Sequence, residues 1–295
     1  MSAVINTNMA SLFAQQSLMN AQGNLATSVQ RLSSGIRINS SRDDATGLAI
    51  AQSMQGKLNA LGMAKQNASQ AMNLIQTTDS TVGTVQDILL RMKQLSVEGT
   101  NDSISGDQKL DVVTELKQLN AQLNNIANAS TYNGINLLNN ATQTLNFQVG
   151  SSTAAADSFS VKTLNVTTSS GTVAGMTDVG TDITAGTGLG TLDATATNAV
   201  WQTAFTALSG HLDTAIEGLS SARATLGSQM NSLSYVTSNL AGQSANLSAS
   251  RSTVIDTDFA AETAQLTKGQ IMQQAATAML AQANQMPNVI LSLLK

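Results

Sequence analysis

Apolar residues recur every seven positions along this chain, in separate stretches. In the first, Ile5, Leu12, Met19 and Ala26 hold one row, and Leu18, Leu25 and Leu32 hold a neighbouring one. In the second, Met54, Leu61, Ala68, Ile75, Val82 and Leu89 share one heptad position, with Ala64, Ala71, Val85 and Met92 on a companion position. A third run, Val112, Leu116, Leu119, Leu123 and Ile126, steps by four and three. After residue 200, Phe205, Leu212, Leu219, Leu226, Leu233, Leu240 and Leu247 keep the spacing, beside Leu208, Ala215, Ala222 and Val236; Met272, Met279, Met286 and Leu293 then form a last row. A period of 3.5 residues is the signature of helices that pack along their length. The second stretch, from about Asp44 to Val97, would reach roughly 80 Å at 1.5 Å per residue, so it needs partners throughout.

Between these stretches the pattern breaks. Ser33–Ser41 and Glu98–Asp102 carry residues that compete with helix hydrogen bonds or loosen the backbone, and Tyr132-Asn-Gly134 reads as a turn. Leu145–Val149 and Phe159–Leu164 alternate apolar with polar residues, which predicts a β-hairpin. From Asn165 to Asn198 the chain is Thr, Gly, Ser, Ala and Asp with scattered aliphatics, a composition suited to surface loops and short strands. A further break is expected near Ser248–Thr253. The fold class is therefore mainly α: an elongated antiparallel helical bundle with terminal coiled-coil helices and a small β-hairpin region. Helix order is an approximate mirror image, so the two terminal helices are expected to pair and the three longer ones to bundle.

Composition narrows the function. Aromatic residues are 3% and charged residues 11% of the 295-residue chain, so the core must be built from aliphatics at close helix separations. A net charge of −4 lacks the clustered Lys and Arg that nucleic acid selects. No apolar run is long enough to span a bilayer, and the first residues, without a basic group before Arg31, do not resemble a cleaved signal. Cysteine is absent, which removes disulfides and thiolate metal sites.

Candidate chemistry is thin. His211 is the sole histidine, which excludes a multi-histidine metal site, and no Gly-x-Ser-x-Gly elbow surrounds any serine. His211 is read as a partly exposed helix residue. Asp43-Asp44, like Asp256 and Asp258, could be a carboxylate pair, but helix N-terminal capping is preferred. Gly186–Gly190 lacks the Gly-Lys-Ser/Thr ending of a phosphate loop, and Trp201 is expected to anchor the core. No catalytic residue, cofactor or metal is assigned.

Longer strings carry a resemblance. Ile5-Asn-Thr-Asn8, Ser11-Leu-Phe-Ala-Gln15, Arg31–Ser40 and Asp43–Ile50 near one end, with Gln270–Ala275, Leu280–Gln285, Pro287 and Leu291–Leu294 near the other, resemble bacterial flagellins over about residues 1–150 and 200–295. The resemblance implies a non-enzymatic subunit that polymerises into the flagellar filament. It would be exported unfolded by the type III export apparatus without signal-peptide cleavage, and would lie outside the cell in the flagellum. Implied partners are other flagellin subunits, a flagellar cap protein, a hook-associated junction protein, an export chaperone at the C-terminus and a host flagellin-sensing Toll-like receptor. Nucleic acid and membrane insertion are not implied.

The expected division is an inner terminal coiled coil of 1–43 plus 254–295, an outer bundle of 44–144 plus 199–253, and a surface insertion of 145–198. Filament packing in the inner part falls on Ile5, Leu12, Met19, Leu25, Leu32, Met272, Met279, Met286 and Leu293. Arg91, Leu95, Glu115 and Leu212 match positions that serve packing and receptor recognition in the family. Two family arginines are missing: Ser232 stands at one, and Arg251-Ser-Thr-Val254 replaces the other's string. The nearest alternative is a hook–filament junction protein with similar ends; an adhesin or enzyme in the insertion has neither the size nor the histidine.

Overall fold

The computed structural model describes residues 8–139, 143–152, 154, 157–184 and 188–293; for 286–293 only the course of the helix is described. Its helices are α1 (Met9–Ser34), α2 (Ala45–Gly99), α3 (Gly106–Ala129), α4 (Met176–Thr184), α5 (Asn198–Ile255) and α6 (Phe259–Leu293). Two antiparallel hairpins lie between α3 and α4: β1 (Thr131–Tyr132) with β2 (Ile135–Asn136), and β3 (Thr144–Gln148) with β4 (Ser158–Lys162).

Helix ends follow from side chains that satisfy free backbone groups. The Asn8 side chain accepts from Ser11 N–H, and Gly35, at φ 71°, closes α1 by donating its N–H to the Arg31 carbonyl. Asp44 accepts from Gly47 N–H at the start of α2, and Asp258 accepts from the Ala260 and Ala261 N–H groups at the start of α6. Asp43 differs: it bonds the Asn39 and Ser40 N–H groups and so ties the preceding loop. Ser105 and Gln108 form a reciprocal capping box on α3.

Contacts divide the chain into two compact units, residues 1–58 with 245–295, and residues 59–244. These borders fall inside α2 and α5, whereas the helix breaks at 35–44 and 256–258 lie within the first unit.

In the second unit, α2 buries Leu61, Ala64, Ala68, Ala71, Ile75, Thr78, Val82, Val85, Leu89, Met92, Ser96 and Gly99, an unbroken three-four alternation. α5 answers with Trp201, Phe205, Leu208, Leu212, Ala215, Leu219 and Leu226 in the same rhythm, and α3 adds Val113, Leu116, Asn120, Leu123 and Ala127. The α2 and α5 helices run antiparallel: Asp79 pairs with Arg223, Lys93 with Asp213, and the Ser96 hydroxyl donates to the Phe205 carbonyl at 2.7 Å. Trp201 is fully buried with its ring 5.8 Å from that of Phe205. In the first hairpin, Asn133 and Gly134 both take positive φ, as a tight two-residue turn requires. Phe147 faces Phe159 in the second.

Two expectations are corrected. Ser248–Thr253 does not interrupt the helix: α5 continues to Ile255, with Ser250 and Thr253 hydroxyls bonded to the Asn246 and Ala249 carbonyls one turn back. The actual break is at 256–258. The stretch 165–198 is not merely surface loop either. It contains α4, and Val166, Val173, Met176, Val179, Ile183 and Leu189 join the core of the second unit. Thr168 locks it to α3, donating to Asn120 at 2.7 Å and receiving from Asn124 at 2.8 Å. His211 on α5 meets Asp182 on α4 at 2.7 Å, so it is a partly exposed helix residue with a specific partner.

Candidate assembly surface

The terminal helices α1 and α6 pack antiparallel within the first unit. Asn8 donates to the Ala283 carbonyl at 2.7 Å, Ser11 to Asn284 at 3.0 Å, and Arg31 stands 3.7 Å from Glu262 at the other end. The seam between them is made of small residues. On α1, Ala14, Ala21 and Ser28 are buried seven apart, with Ser11, Leu18, Leu25 and Leu32 half-buried beside them. On α6, Glu262, Gly269, Ala276 and Ala283 are buried seven apart, alternating with half-buried Leu266, Gln273 and Leu280. Small side chains let the backbones approach and leave the leucines to fill the gaps, as Leu25 does against Gly269.

This seam uses up little of the apolar surface of either helix. Leu12, Phe13 and Met19 on α1, and Ile271, Met272 and Met279 on α6, remain 50–66% exposed. They stand next to the seam positions in sequence: Leu12 and Met19 follow Ser11 and Leu18, while Met272 and Met279 precede Gln273 and Leu280. Of the residues expected to pack a filament, Leu25 and Leu32 therefore belong to the intrachain seam, and Leu12, Met19, Met272 and Met279 lie outside it. Ile5 falls outside the described residues, as do the side chains of Met286 and Leu293. Phe13 and Ile271 escaped the sequence reading because neither sits in a strict heptad row. Ala14, Ala21, Ser28, Gly269, Ala276 and Ala283 keep seven-residue spacing too, but side chains this small carry little hydrophobic signal.

At the base of α1 and α6 the chain is clasped. Ile36 forms an antiparallel bridge with Asp256, Arg37 N–H donates to the Ile255 carbonyl at 2.7 Å, and Thr257 N–H donates to the Gly35 carbonyl at 3.0 Å. Arg37 adds a guanidinium bond to the Val254 carbonyl, and Ile38, Ala51 and Ile255 form a small buried cluster beneath. The Ser40 N–H and hydroxyl, then the Asn39 N–H and the Arg31 charge, hold the Asp43 carboxyl below its ordinary value.

The remaining candidate positions lie in the second unit. Arg91 and Glu115 form an ion pair between α2 and α3 at 2.8 Å, with both side chains substantially exposed. Leu95 and Leu212 are buried in the core, so neither side chain offers surface. Ser232 spends its hydroxyl on the Ser228 carbonyl. Among the described residues, no cluster of His, Cys, Asp and Glu has the makings of a metal site, and no helix is long and apolar enough to cross a membrane.

Long paired helices whose terminal members keep exposed apolar rows define a helical assembly subunit. Comparison with known proteins identifies the family. The bacterial flagellin N-terminal helical region matches residues 5–143, and the bacterial flagellin C-terminal helical region matches residues 210–294. A flagellin of Listeria innocua is 34% identical over 98% of this chain and 99% of its own length. The flagellar filament 33 kDa core protein of Treponema phagedenis is 32% identical over 99% of this chain and 100% of its own. Among solved structures, the Bacillus cereus flagellin covers 63% of this chain and 94% of its own, at 27% identity and a TM-score of 0.44. The chain belongs to the bacterial flagellin family, the structural proteins of the flagellar filament.

Proposed function

We propose that this flagellin polymerises by burying, against neighbouring copies, the apolar rows that α1 and α6 leave uncovered. The carrying observation is the exposure of Leu12, Phe13, Met19, Ile271, Met272 and Met279 beside a seam of alanine, serine and glycine. Full burial of a large apolar side chain contributes roughly 1.5–3 kcal/mol, so a few such residues per subunit supply a substantial drive to associate. Among the described residues the α1–α6 seam takes the small side chains, which leaves these rows to a neighbouring copy.

In this reading residues 1–43 with 254–295 form the inner layer of a tube, and 44–144 with 199–253 the outer layer. Residues 145–198 are the surface insertion, with α4 held down on the outer bundle. Arg91 and Glu115 offer the outer layer an exposed charged pair for packing between subunits. A host flagellin-sensing Toll-like receptor would read that same pair; Leu95 and Leu212 support its shape from below without contact. The flagellar cap protein, the hook-associated junction protein, an export chaperone on α6 and the type III export apparatus are the further partners, with export that needs no signal cleavage. The likeness to flagellins along nearly the whole chain supports these assignments.

Deletion of residues 1–30 or of 266–295 tests the mechanism. Each truncated chain is expected to stay monomeric in sedimentation and to give no filaments by electron microscopy. The full chain carrying Leu12→Ser and Met279→Ser is expected to keep the melting behaviour of residues 59–244 and lose elongation. Normal filaments from both truncations would sink the reading.

A further inference from the structure

We propose that Met19, Met272 and Met279 make the unassembled subunit oxidation-gated: their conversion to sulfoxides blocks addition to the filament, while the filament shields them. The inference rests on the reading above that the uncovered rows of α1 and α6 are the assembly surface.

Cysteine is absent and methionine occurs twelve times, so the thioethers are the only sulfur groups the chain offers an oxidant. Met92 and Met176 are fully buried in the core of the second unit, whereas Met19, Met272 and Met279 are 58%, 50% and 66% exposed; Met9, at the start of α1, and Met63, in the second unit, are exposed as well. Met19, Met272 and Met279 flank the α1–α6 seam, among Leu12, Phe13 and Ile271, which peroxide leaves untouched. Three of the exposed thioethers therefore lie on surface whose task is to lose water, and Met63 lies off it.

The step balances with hydrogen peroxide as oxidant. A sulfur lone pair attacks one peroxide oxygen, the O–O bond breaks, and water leaves; sulfur gives up two electrons and the transferred oxygen accepts them. The product is a polar, chiral side chain of nearly unchanged length. Its oxygen is a strong acceptor, and the neighbouring Leu, Phe and Ile side chains provide no donor. Burial then leaves that oxygen unpaired, which converts an apolar gain into a penalty. Because the defect is chemical and not a backbone change, enzymatic reduction restores the original surface.

The test uses full-length chain elongating from filament seeds. Monomer treated with hydrogen peroxide is expected to elongate at least about tenfold more slowly, since each lost apolar contact carries roughly that factor. Treatment with the two stereospecific methionine sulfoxide reductases is expected to restore elongation. Met19→Leu, Met272→Leu and Met279→Leu combined conserve apolar volume and are expected to elongate after peroxide; Met63→Leu, on the second unit, is expected to remain sensitive. Peptide mass spectrometry should find the three sulfoxides in treated monomer and far less in treated filament.

Unimpaired elongation with all three positions oxidised overturns the gate, as does loss of elongation that reductases do not reverse. Sensitivity unchanged in the triple-leucine chain also overturns it. Equal oxidation of the three residues in monomer and filament overturns the assembly-surface reading, and the gate with it.

Discussion

Gly99 lies directly under the ring of Phe205: a methyl group added to Gly99 would stand 2.3 Å from Cζ and 2.4 Å from Cε1. Three residues earlier, the Ser96 hydroxyl donates to the Phe205 carbonyl, so α2 holds both the ring and the backbone of this residue at one crossing with α5. Alanine normally improves a helix over glycine by about 0.8–1.0 kcal/mol. Here the ring is fully buried and cannot swing into solvent. Gly99→Ala is therefore expected to destabilise the chain, by about 1–3 kcal/mol of overpacking. Urea unfolding followed by Trp201 fluorescence reads it directly, and a stabilised variant would show that the ring has room to move.

Thr168 offers a second test, this time of polar bonding. Its hydroxyl donates to Asn120 and receives from Asn124, and its N–H donates to the Asn124 oxygen at 3.0 Å. Thr168→Val keeps shape and strands the buried Asn120 acceptor. The expected cost is about 1–3 kcal/mol, seen as a lower urea midpoint and as faster proteolytic cutting within residues 163–184. Unchanged proteolysis would mean that the aliphatic contacts of α4 alone hold the segment.

The contrast between α2 and α4 explains what the sequence made legible. Over 55 residues the apolar rhythm of α2 repeats so often that no competing period survives. By contrast α4, Met176–Thr184, has nine residues, three of them Thr and one Gly, and only Met176, Val179 and Ile183 to mark a face. Its intrinsic propensity is poor, and burial against α3 and α5 overrides it. Ser248–Thr253 misleads in the opposite sense: hydroxyl groups that suggest a break instead bond carbonyls one turn back and stay in α5. For the assembly surface, the sequence revealed which rows are apolar but not which row α1 and α6 spend on each other. That choice falls to Ala14, Ala21 and Ser28, because backbone approach depends on the smallest side chains.

Asp43 makes the loop between α1 and α2 acid-sensitive. Its carboxylate accepts from Ser40 N–H at 2.9 Å, Ser40 Oγ at 3.0 Å and Asn39 N–H at 3.1 Å, bonds that exist only for the ionised form with full strength. The folded-state value is thereby depressed below that of an ordinary aspartate. A depressed carboxylate contributes its stabilisation above the unfolded value and loses it as pH falls through the folded one. Amide exchange at Asn39 and Ser40, corrected for intrinsic rates, is expected to be slow at pH 5 and to quicken only as pH falls below the ordinary aspartate range. Asp43→Ala should exchange fast at both. Protection in the wild-type chain that persists well below that range would show that the bridge of Ile36 to Asp256, and not Asp43, orders the loop.

Gly269 predicts the opposite sign from Gly99, although both sit in helices at a seam. A methyl group added at Gly269 would meet Leu25 Cδ1 at 3.5 Å and Leu25 Cα at 3.7 Å, ordinary van der Waals separations. Gly269→Ala should therefore keep the helix-propensity gain and add contact, stabilising the α1–α6 pair by about 0.5–1 kcal/mol. Ala21→Leu, at a buried seam position on the facing helix, forces the backbones apart and should loosen the pair by about 1–3 kcal/mol. Amide exchange across residues 9–34 and 259–285 separates the two, slower for the first variant and faster for the second. Exchange in residues 59–244 should not respond to either. If Gly269→Ala instead speeds exchange in α1, the seam is tighter than 3.5 Å and the small residues are there to let the helices slide closer still.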